Sequence, residues 1–476
     1  MKGFHGLLVI GLGLLLNPQL INGQPHLERG LAVPEDARAS DVMLQVWRGI
    51  GAGMASGPNS VDDIHVVFST DCSPYQNFQS ITLFHSAEMV GQKGPITRVA
   101  SGCTTEQQML LLQLMDKQPE RFRVHFTPDF SLDPETGERF PYYNKPNGIA
   151  HFLKNADPPL SEAVLALVDP DTVFISPLTP LVDDPSKMLW SEPHQQTGPA
   201  WVVEGTPVGQ SYGLGGWWTR WDDLPEITLV LGRDSPALKV TLSDAQANYP
   251  VGPPYLMHPR DWARVLDSWV AVMPGVVKGH PGILADMYAF CIAAAHARLP
   301  HRVAYALMIS GAKKEAREGW PLIDVLKTDA CNASVVDRHR DSLPPIVHYC
   351  HVYRVGTFMW WKRDQSLHHF FSCDSDSLEL PPADYLSSPM ATIRVNPETH
   401  DVQGKPSTHI QSVELGIGVR QMYALCAVLR AMNEALVTYK SRYCRPEEVS
   451  GGVRRFTDLS TKQVAADLYF RSRKEE

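Results

Sequence analysis

From residue 63 onward, apolar and polar positions alternate in blocks that predict strands and helices in turn. Ile64-His65-Val66-Val67-Phe68 is a short β-rich run that leads through Ser69-Thr70-Asp71 to Ser73-Pro74. Serine before proline marks a helix start: the hydroxyl caps a free N–H, and proline lacks the N–H that its position would leave unbonded. Ile96 to Ala100 predicts a second strand, and Asn144-Lys145-Pro146 opens a helix carrying Ile149, Phe152 and Leu153. Ala163 to Val168 (AVLALV) is apolar throughout, as expected of a strand covered on both faces, and it stops at Asp169-Pro170-Asp171. Farther on, Pro259 starts a helix with Trp262, Val265, Leu266, Trp269 and Val270 at helical spacing. A second helix carries Ile283, Leu284, Met287, Tyr288, Cys291 and Ile292 on one face. Residues 371–420 read as irregular and Pro/Ser-rich. A last amphipathic helix runs from about Gln421 to Lys440, striped by Met422, Leu425, Leu429, Met432 and Leu436. No repeat at a solenoid or propeller period is present. Strands alternating with helices predict an α/β fold with parallel strands, whose ligand crevice lies beyond the strands' carboxyl ends. Asp71 and Asp169 both fall at such ends.

The segment before residue 61 follows other rules. Lys2 precedes a ten-residue apolar stretch, Leu7 to Leu16, which Asn17-Pro18 breaks, and Gly23 offers a small residue for cleavage. Residues 1–24 are expected to be a secretory signal, or else a short signal anchor. Residues 25–60 are polar and Gly-rich and read as a stem. Gly49, Gly51 and Gly53 do not make a dinucleotide loop, because Met54 occupies the third glycine position and no strand precedes them. The 476 residues, 43% apolar and 20% charged, can bury a sizeable core, which excludes disorder, collagen and a short disulfide scaffold. A net charge of -9 argues against a general nucleic-acid binder. No run after residue 20 approaches the ~20 apolar residues of a membrane span. Eight cysteines suit an oxidising lumen, and Asn332-Ala333-Ser334 is a glycosylation acceptor if the chain enters it. The terminal Arg-Lys-Glu-Glu is not the usual soluble retrieval signal.

Asp169-Pro170-Asp171 carries the sharpest chemical signal. Two carboxylates one residue apart, just past a buried strand, can both reach a hard divalent cation that also holds phosphate oxygens. The same triplet also serves as a plain strand-ending turn, since Pro170 biases Asp169 toward extended geometry. His348 and His351 form a His-x-x-His with Cys350 between them, but nothing elsewhere completes a closed zinc set. Trp217, Trp218 and Trp221, with Trp360 and Trp361, are clusters suited to stacking on a sugar or to filling a core.

The segment Asp169 to Leu178 (DPDTVFISPL) resembles the metal-site segment of the peptidyl hydroxyproline O-arabinosyltransferases. More stretches resemble the other branch of that family, the peptidyl serine α-galactosyltransferases. They are Ile64 to Gln79 (IHVVFSTDCSPYQNFQ), Gly91 to Arg98 (GQKGPITR), Pro134 to Leu153 (PETGERFPYYNKPNGIAHFL) and Val251 to Trp269 (VGPPYLMHPRDWARVLDSW). Ala285 to Phe290 (ADMYAF) and Ile346 to Tyr349 (IVHY) are similar to both branches. The segments keep the family's order across roughly residues 61–362.

This resemblance implies a GT-A type glycosyltransferase. Residues 61–370 would form a nucleotide-sugar-binding α/β sheet with helices on both faces, and residues 371–476 a C-terminal extension ending in the amphipathic helix. It further implies a UDP-sugar donor, Mn²⁺, and retaining transfer onto a peptide hydroxyl. Asp169 and Asp171 match the metal-binding acidic motif, and His348 the histidine of the later His-Tyr pair, a ligand acceptable to Mn²⁺. Thr70 and Asp71 match the end of the family's first strand, expected to face the uridine or ribose; Asp71 equally suits a helix cap. Lys145 matches the cation of the Asn-[Lys/Arg]-Pro motif, placed to offset charge on the leaving UDP. Asp286 stands where both branches usually carry Glu before Met-Tyr. It is the candidate catalytic carboxylate, with shorter reach, for orienting the acceptor hydroxyl or stabilising the oxocarbenium-like centre.

Cys72 with Cys103, and Cys373 with Cys426, resemble cysteines of the serine branch and are the expected disulfides. Gly94 to Arg98 and Asn144 to Gly148 favour UDP-galactose as donor and serine in hydroxyproline-rich glycoproteins as acceptor. Phe174 to Leu178 looks closer to the arabinosyl branch, which would use UDP-arabinofuranose and hydroxyproline. A rival of another class is a non-catalytic lumenal carbohydrate-binding protein. The expected partners are a UDP-sugar and a peptide rich in Ser and hydroxyproline, with no nucleic acid, and membrane contact only through an N-terminal anchor. The expected place is the lumen of the endoplasmic reticulum or Golgi.

Overall fold

The computed structural model describes residues 64–454, except 116–120, 133–136, 182–188, 192–200, 221–223, 357, 383, 389–391, 396–398, 401–405 and 408–409. The expected signal or anchor, the stem, and Trp221 lie outside the described residues.

The apolar runs become strands covered on both faces. β1 (Ile64–Thr70), β2 (Ile96–Ser101), β3 (Phe122–Thr127) and β4 (Val164–Val168) are parallel, with β1 between β2 and β4 and β3 beside β2. The chain then crosses to a second sheet at β5 (Thr172–Phe174) and returns through β6 (Val208–Ser211), β7 (Val251–Met257) and β8 (Arg302–Ala304). The main sheet has the order β3-β2-β1-β4-β7-β6-β8. It is mixed: β7 lies antiparallel to both β4 and β6. The expected α/β class is borne out, with this antiparallel strand as the difference. Pro253 and Pro254 sit inside β7, where each lacks a ladder donor. The register shift between Gly209 and Gln210 of β6 passes over them, which is how a central strand tolerates proline.

Among the described residues six helices exceed ten residues: α1 (Pro74–Met89), α2 (Thr105–Met115), α3 (Asn144–Asn155), α4 (Pro259–Gly279), α5 (Ala285–His296) and α6 (Leu415–Tyr443). Residues of one face of the sheet, among them Val67, Leu165 and Tyr255, share a core with α3, α4 and α5. The other face, with Val66, Phe68 and Ala166, packs on Leu83, Phe84 and Ala87 of α1 and on the second sheet. The alternation of side chains along a strand divides the two cores. α4 starts at Pro259 as expected. α5 begins only at Ala285, leaving Ile283 exposed before it. α6 is longer than its stripe predicted, and all five stripe residues are buried.

Three disulfides are formed. Cys72–Cys103 is as expected, but Cys373 pairs with Cys444, and Cys426 with Cys331. The expected Cys373–Cys426 link is thereby corrected. Cys426 lies in the middle of α6 and Cys444 caps its end, so roughly 27 Å of helix separates them. Cys373 meets the end of the helix, where Ser450 N donates to its carbonyl, and the buried Cys331 meets the middle.

Candidate functional site

The second sheet delivers a histidine to the acidic triplet. Beyond β4 the chain passes through Asp169-Pro170-Asp171 into β5, which pairs antiparallel with β10 (Ile346–His348). On its other side β10 runs parallel to β9 (Met308–Ile309). This register sets His348 opposite Thr172, and Tyr349 N donates to the Asp171 carbonyl at 3.0 Å. His348 Nε2 comes within 3.3 Å of Asp171 Oδ2 and 3.7 Å of Asp169 Oδ2. One ligand atom from each of Asp169, Asp171 and His348 lies within 4.8 Å of the others. His348 Nδ1 is 3.2 Å from the Tyr212 hydroxyl, which fixes the ring with Nε2 toward the carboxylates. Among the described residues no other set of three or more His, Cys, Asp and Glu gathers in this way, so Cys350 and His351 complete no zinc set.

Two lysines stand against these carboxylates. Lys145, in the first turn of α3, reaches Asp169 Oδ1 at 2.9 Å and Asp286 Oδ2 at 2.6 Å. Lys362, just past the hairpin of β11 (Tyr353–Val355) and β12 (Phe358–Trp360), pairs with Asp171 Oδ2. Asp286 opens α5, where the helix dipole favours a carboxylate, and the Trp269 indole of α4 donates to its carbonyl at 2.9 Å. It is only 2% exposed.

Burial works to raise the Asp171 carboxyl, but Lys362 and His348 hold it well below its ordinary value. At Asp286 burial prevails and lifts the carboxyl despite Lys145. Burial opposes the charge of Lys145, yet Asp169 and Asp286 raise it above the ordinary lysine range; for Lys362, Asp171 does the same. The Cys350 thiol, raised by burial, is drawn down to about 6 by His348 and His351.

Thr70 and Asp71 end the strand beside β4, whose register aligns Phe68 with Val168. Their side chains are otherwise engaged. Thr70 Oγ1 accepts from Arg98 Nε at 2.8 Å, and Asp71 Oδ1 accepts from Ser73 N at 2.8 Å. Asp71 therefore holds the turn into α1, while Ser73 caps it. Arg98, 1% exposed, also donates to the Asp71 carbonyl and to Asn77, locking the end of β1.

The structure thus brings together Asp169, Asp171, His348, Lys145 and Asp286, and leaves Thr70 and Asp71 one strand away. Sequence reasoning missed Lys362, Tyr212 and Arg98. No local signal in the sequence pointed to Lys362. Trp218 and Trp360 are buried and belong to cores, and Trp217 packs on His280 and Tyr288.

No family model matches the chain. It is 28% identical over 254 residues to the peptidyl serine alpha-galactosyltransferase of Arabidopsis thaliana, covering 53% of this chain and 29% of that protein. It is 31% identical over 179 residues to the protein of the same name from Chlamydomonas reinhardtii, covering 37% of this chain and 19% of the relative. The chain spans less than a third of the length of either relative. These matches bear out the resemblance that its motifs carry. Among solved structures it is similar to the apo WbbM bifunctional glycosyltransferase, at TM-score 0.32 and 9% identity over 62% of this chain and 47% of that one. It is also similar to LgtC with donor and acceptor sugar analogues, at TM-score 0.32 and 11% identity over 60% of this chain and 87% of that one. The α/β assignment rests on the sheet itself.

Proposed function

Starting from a chain related to the peptidyl serine alpha-galactosyltransferases, we propose a metal-dependent GT-A type glycosyltransferase. In this reading it moves galactose from UDP-galactose to serine in hydroxyproline-rich peptides, with retention, in the secretory lumen. The observation that carries the proposal is the convergence of Asp169, Asp171 and His348 on one point, ringed by Lys145, Lys362 and Asp286.

Two carboxylates and an imidazole are a donor set that fits Mn²⁺, and their spacing allows one ion to be shared. Asp169 Oδ2, an oxygen of Asp171 and His348 Nε2 would hold it. When bound, the ion supplies Lewis acidity toward the diphosphate. The rest is done by the chain. Tyr212 keeps the His348 ring in place by accepting from Nδ1–H, which leaves the Nε2 lone pair free. Lys145 and Lys362 offset negative charge on the departing UDP in a site with little water. Asp286 shares Lys145 with Asp169, so the candidate catalytic carboxylate and the metal-site carboxylate are oriented through one ammonium. Arg98 holds Thr70 and the Asp71 carbonyl at the neighbouring strand end, where the uridine would lie.

The test is a donor and acceptor screen. UDP-galactose and UDP-arabinofuranose are offered with serine and hydroxyproline peptides, with and without Mn²⁺, and the product anomer is read by NMR. Galactosyl-serine in the α configuration is expected. Arabinose on hydroxyproline, with no galactose on serine, overturns the branch and keeps the family. UDP binding with neither transfer nor donor hydrolysis leaves a carbohydrate-binding protein.

A further inference from the structure

We infer that Asn332 carries an N-linked oligosaccharide, attached before the Cys331–Cys426 disulfide closes. The lumenal setting rests on the reading above; the site and its timing rest on how the fold holds residues 330–336. Asn332-Ala333-Ser334 is the one Asn-x-Ser/Thr triplet in the sequence. Folding pins it from both sides. Ala330 and Cys331 are buried before it, and Val335 and Val336 after it pack on the core built around α6. Asn332 itself is half-buried, and Ala333 and Ser334 are exposed. Its Oδ1 accepts from Ser334 N at 3.1 Å and so caps the short helix Ala333–His339. Its Nδ2 makes no hydrogen bond among the described residues. The side-chain oxygen serves the fold, and the amide nitrogen is left for a substituent.

The transfer takes its sugar from a lipid-diphosphate oligosaccharide. A bond forms between Nδ2 and the anomeric carbon, and that carbon's bond to the diphosphate oxygen breaks. The diphosphate leaves with the electron pair, and one Nδ2 proton passes to a base of the transferring enzyme. The product keeps Oδ1, so the cap and the bulky, solvated sugar are compatible. Timing follows from the backbone. In the folded chain Asn332 N donates to the Asp329 carbonyl at 2.8 Å, and the Asn332 carbonyl accepts from Val335 N and Val336 N at 3.0 Å. Arg430 donates to the Cys331 carbonyl. An enzyme that draws the triplet into its own groove must break these bonds, against a Cys331 tied to the middle of α6. Cys426 lies 95 positions after Cys331. At ~5–20 residues per second of synthesis, the triplet precedes Cys426 by roughly 5–20 s. The acceptor is therefore presented while its segment is still open.

The test follows the full chain through a eukaryotic secretory pathway and reads a mass shift that peptide N-glycosidase removes. One such shift is expected, with Asn332 converted to aspartate on removal. Asn332→Asp and Ser334→Ala both keep the capping bond, so each should lose the shift and match the urea midpoint of the enzymatically deglycosylated chain. Ser334→Thr should retain the shift. For the timing, chain made without sugar is offered to purified oligosaccharyltransferase and a lipid-diphosphate oligosaccharide. It should accept several-fold more when reduced and unfolded than when folded with its disulfides closed. Equal acceptance by the two forms overturns the order. A lumenal chain with Cys331–Cys426 formed and Asn332 unmodified overturns the site and leaves the proposed function standing. A chain that never enters the lumen overturns both this inference and the lumenal part of that function.

Discussion

Asp169 and Asp171 sit one residue apart, yet their surroundings give substitutions different consequences. On the proposed function, Asp169→Asn removes one charge of the proposed metal set while Asp286 still holds Lys145, so Mn²⁺-dependent turnover should fall by about a hundredfold or more with little change in thermal stability. Asp171→Asn should lose as much activity and also destabilise the chain by about 3 kcal/mol, because it deprives Lys362, whose side chain is only 15% exposed, of its partner charge. The double variant Asp171→Asn/Lys362→Met should recover much of that stability and none of the activity. Urea denaturation and a donor assay measure the two effects separately; full stability of Asp171→Asn would contradict the pairing. The acidic triplet was legible in the sequence because it directly follows an unbroken apolar strand. Lys362 was not, because nothing local to a lysine reveals a carboxylate 191 residues away.

The elements hold the site through their ends and turns. Gly94 precedes β2 at φ +77°, and a methyl group there would fall on the Ile64 carbonyl oxygen at the start of β1. Gly94→Ala should therefore cost more than about 2 kcal/mol, from left-handed strain and the forced shift of a strand end, as read from the urea midpoint. A neutral result would mean that this turn relaxes freely. The stripes on α4 and α6 and the Ser73 cap could be read in sequence, since each is a local spacing rule. The antiparallel β7 could not, because its two prolines argue against a central strand until the bulge that holds them is seen. Peptide mapping without reduction should recover Cys331 with Cys426 and Cys373 with Cys444, and none of Cys373 with Cys426.

At the scale of the whole molecule, buried histidines tie stability to pH. His65, in the middle of the sheet and paired with Thr97 Oγ1 at 2.8 Å, is lowered to about 3 by burial, with Arg123 adding to the effect. His125, beside His151, is lowered to about 4, again mainly by burial. The unfolded chain takes up these protons near pH 6.5 and the folded one does not, so stability is full above 6.5 and declines as pH falls toward 3. His65 alone should remove about 2–3 kcal/mol between pH 6.5 and 4.5. A urea midpoint unchanged over that range would show that His65 is protonated in the folded state.

Alone, the sequence determined what short spacing can encode: the covered strands, the helix stripes, the acidic pair at a strand end, and ordered motifs that identify relatives. Tertiary structure decided which distant groups meet. His348 joins Asp171 because β10 pairs with β5 in one register, which a shift of one residue would reverse by turning the side chain to the other face. Cys426 meets Cys331 and not Cys373 because a rigid helix separates its middle from its end. Lys362 reaches Asp171 because a hairpin outside the main sheet places it there. Such pairings depend on where folding delivers each segment, and local propensity carries no record of that.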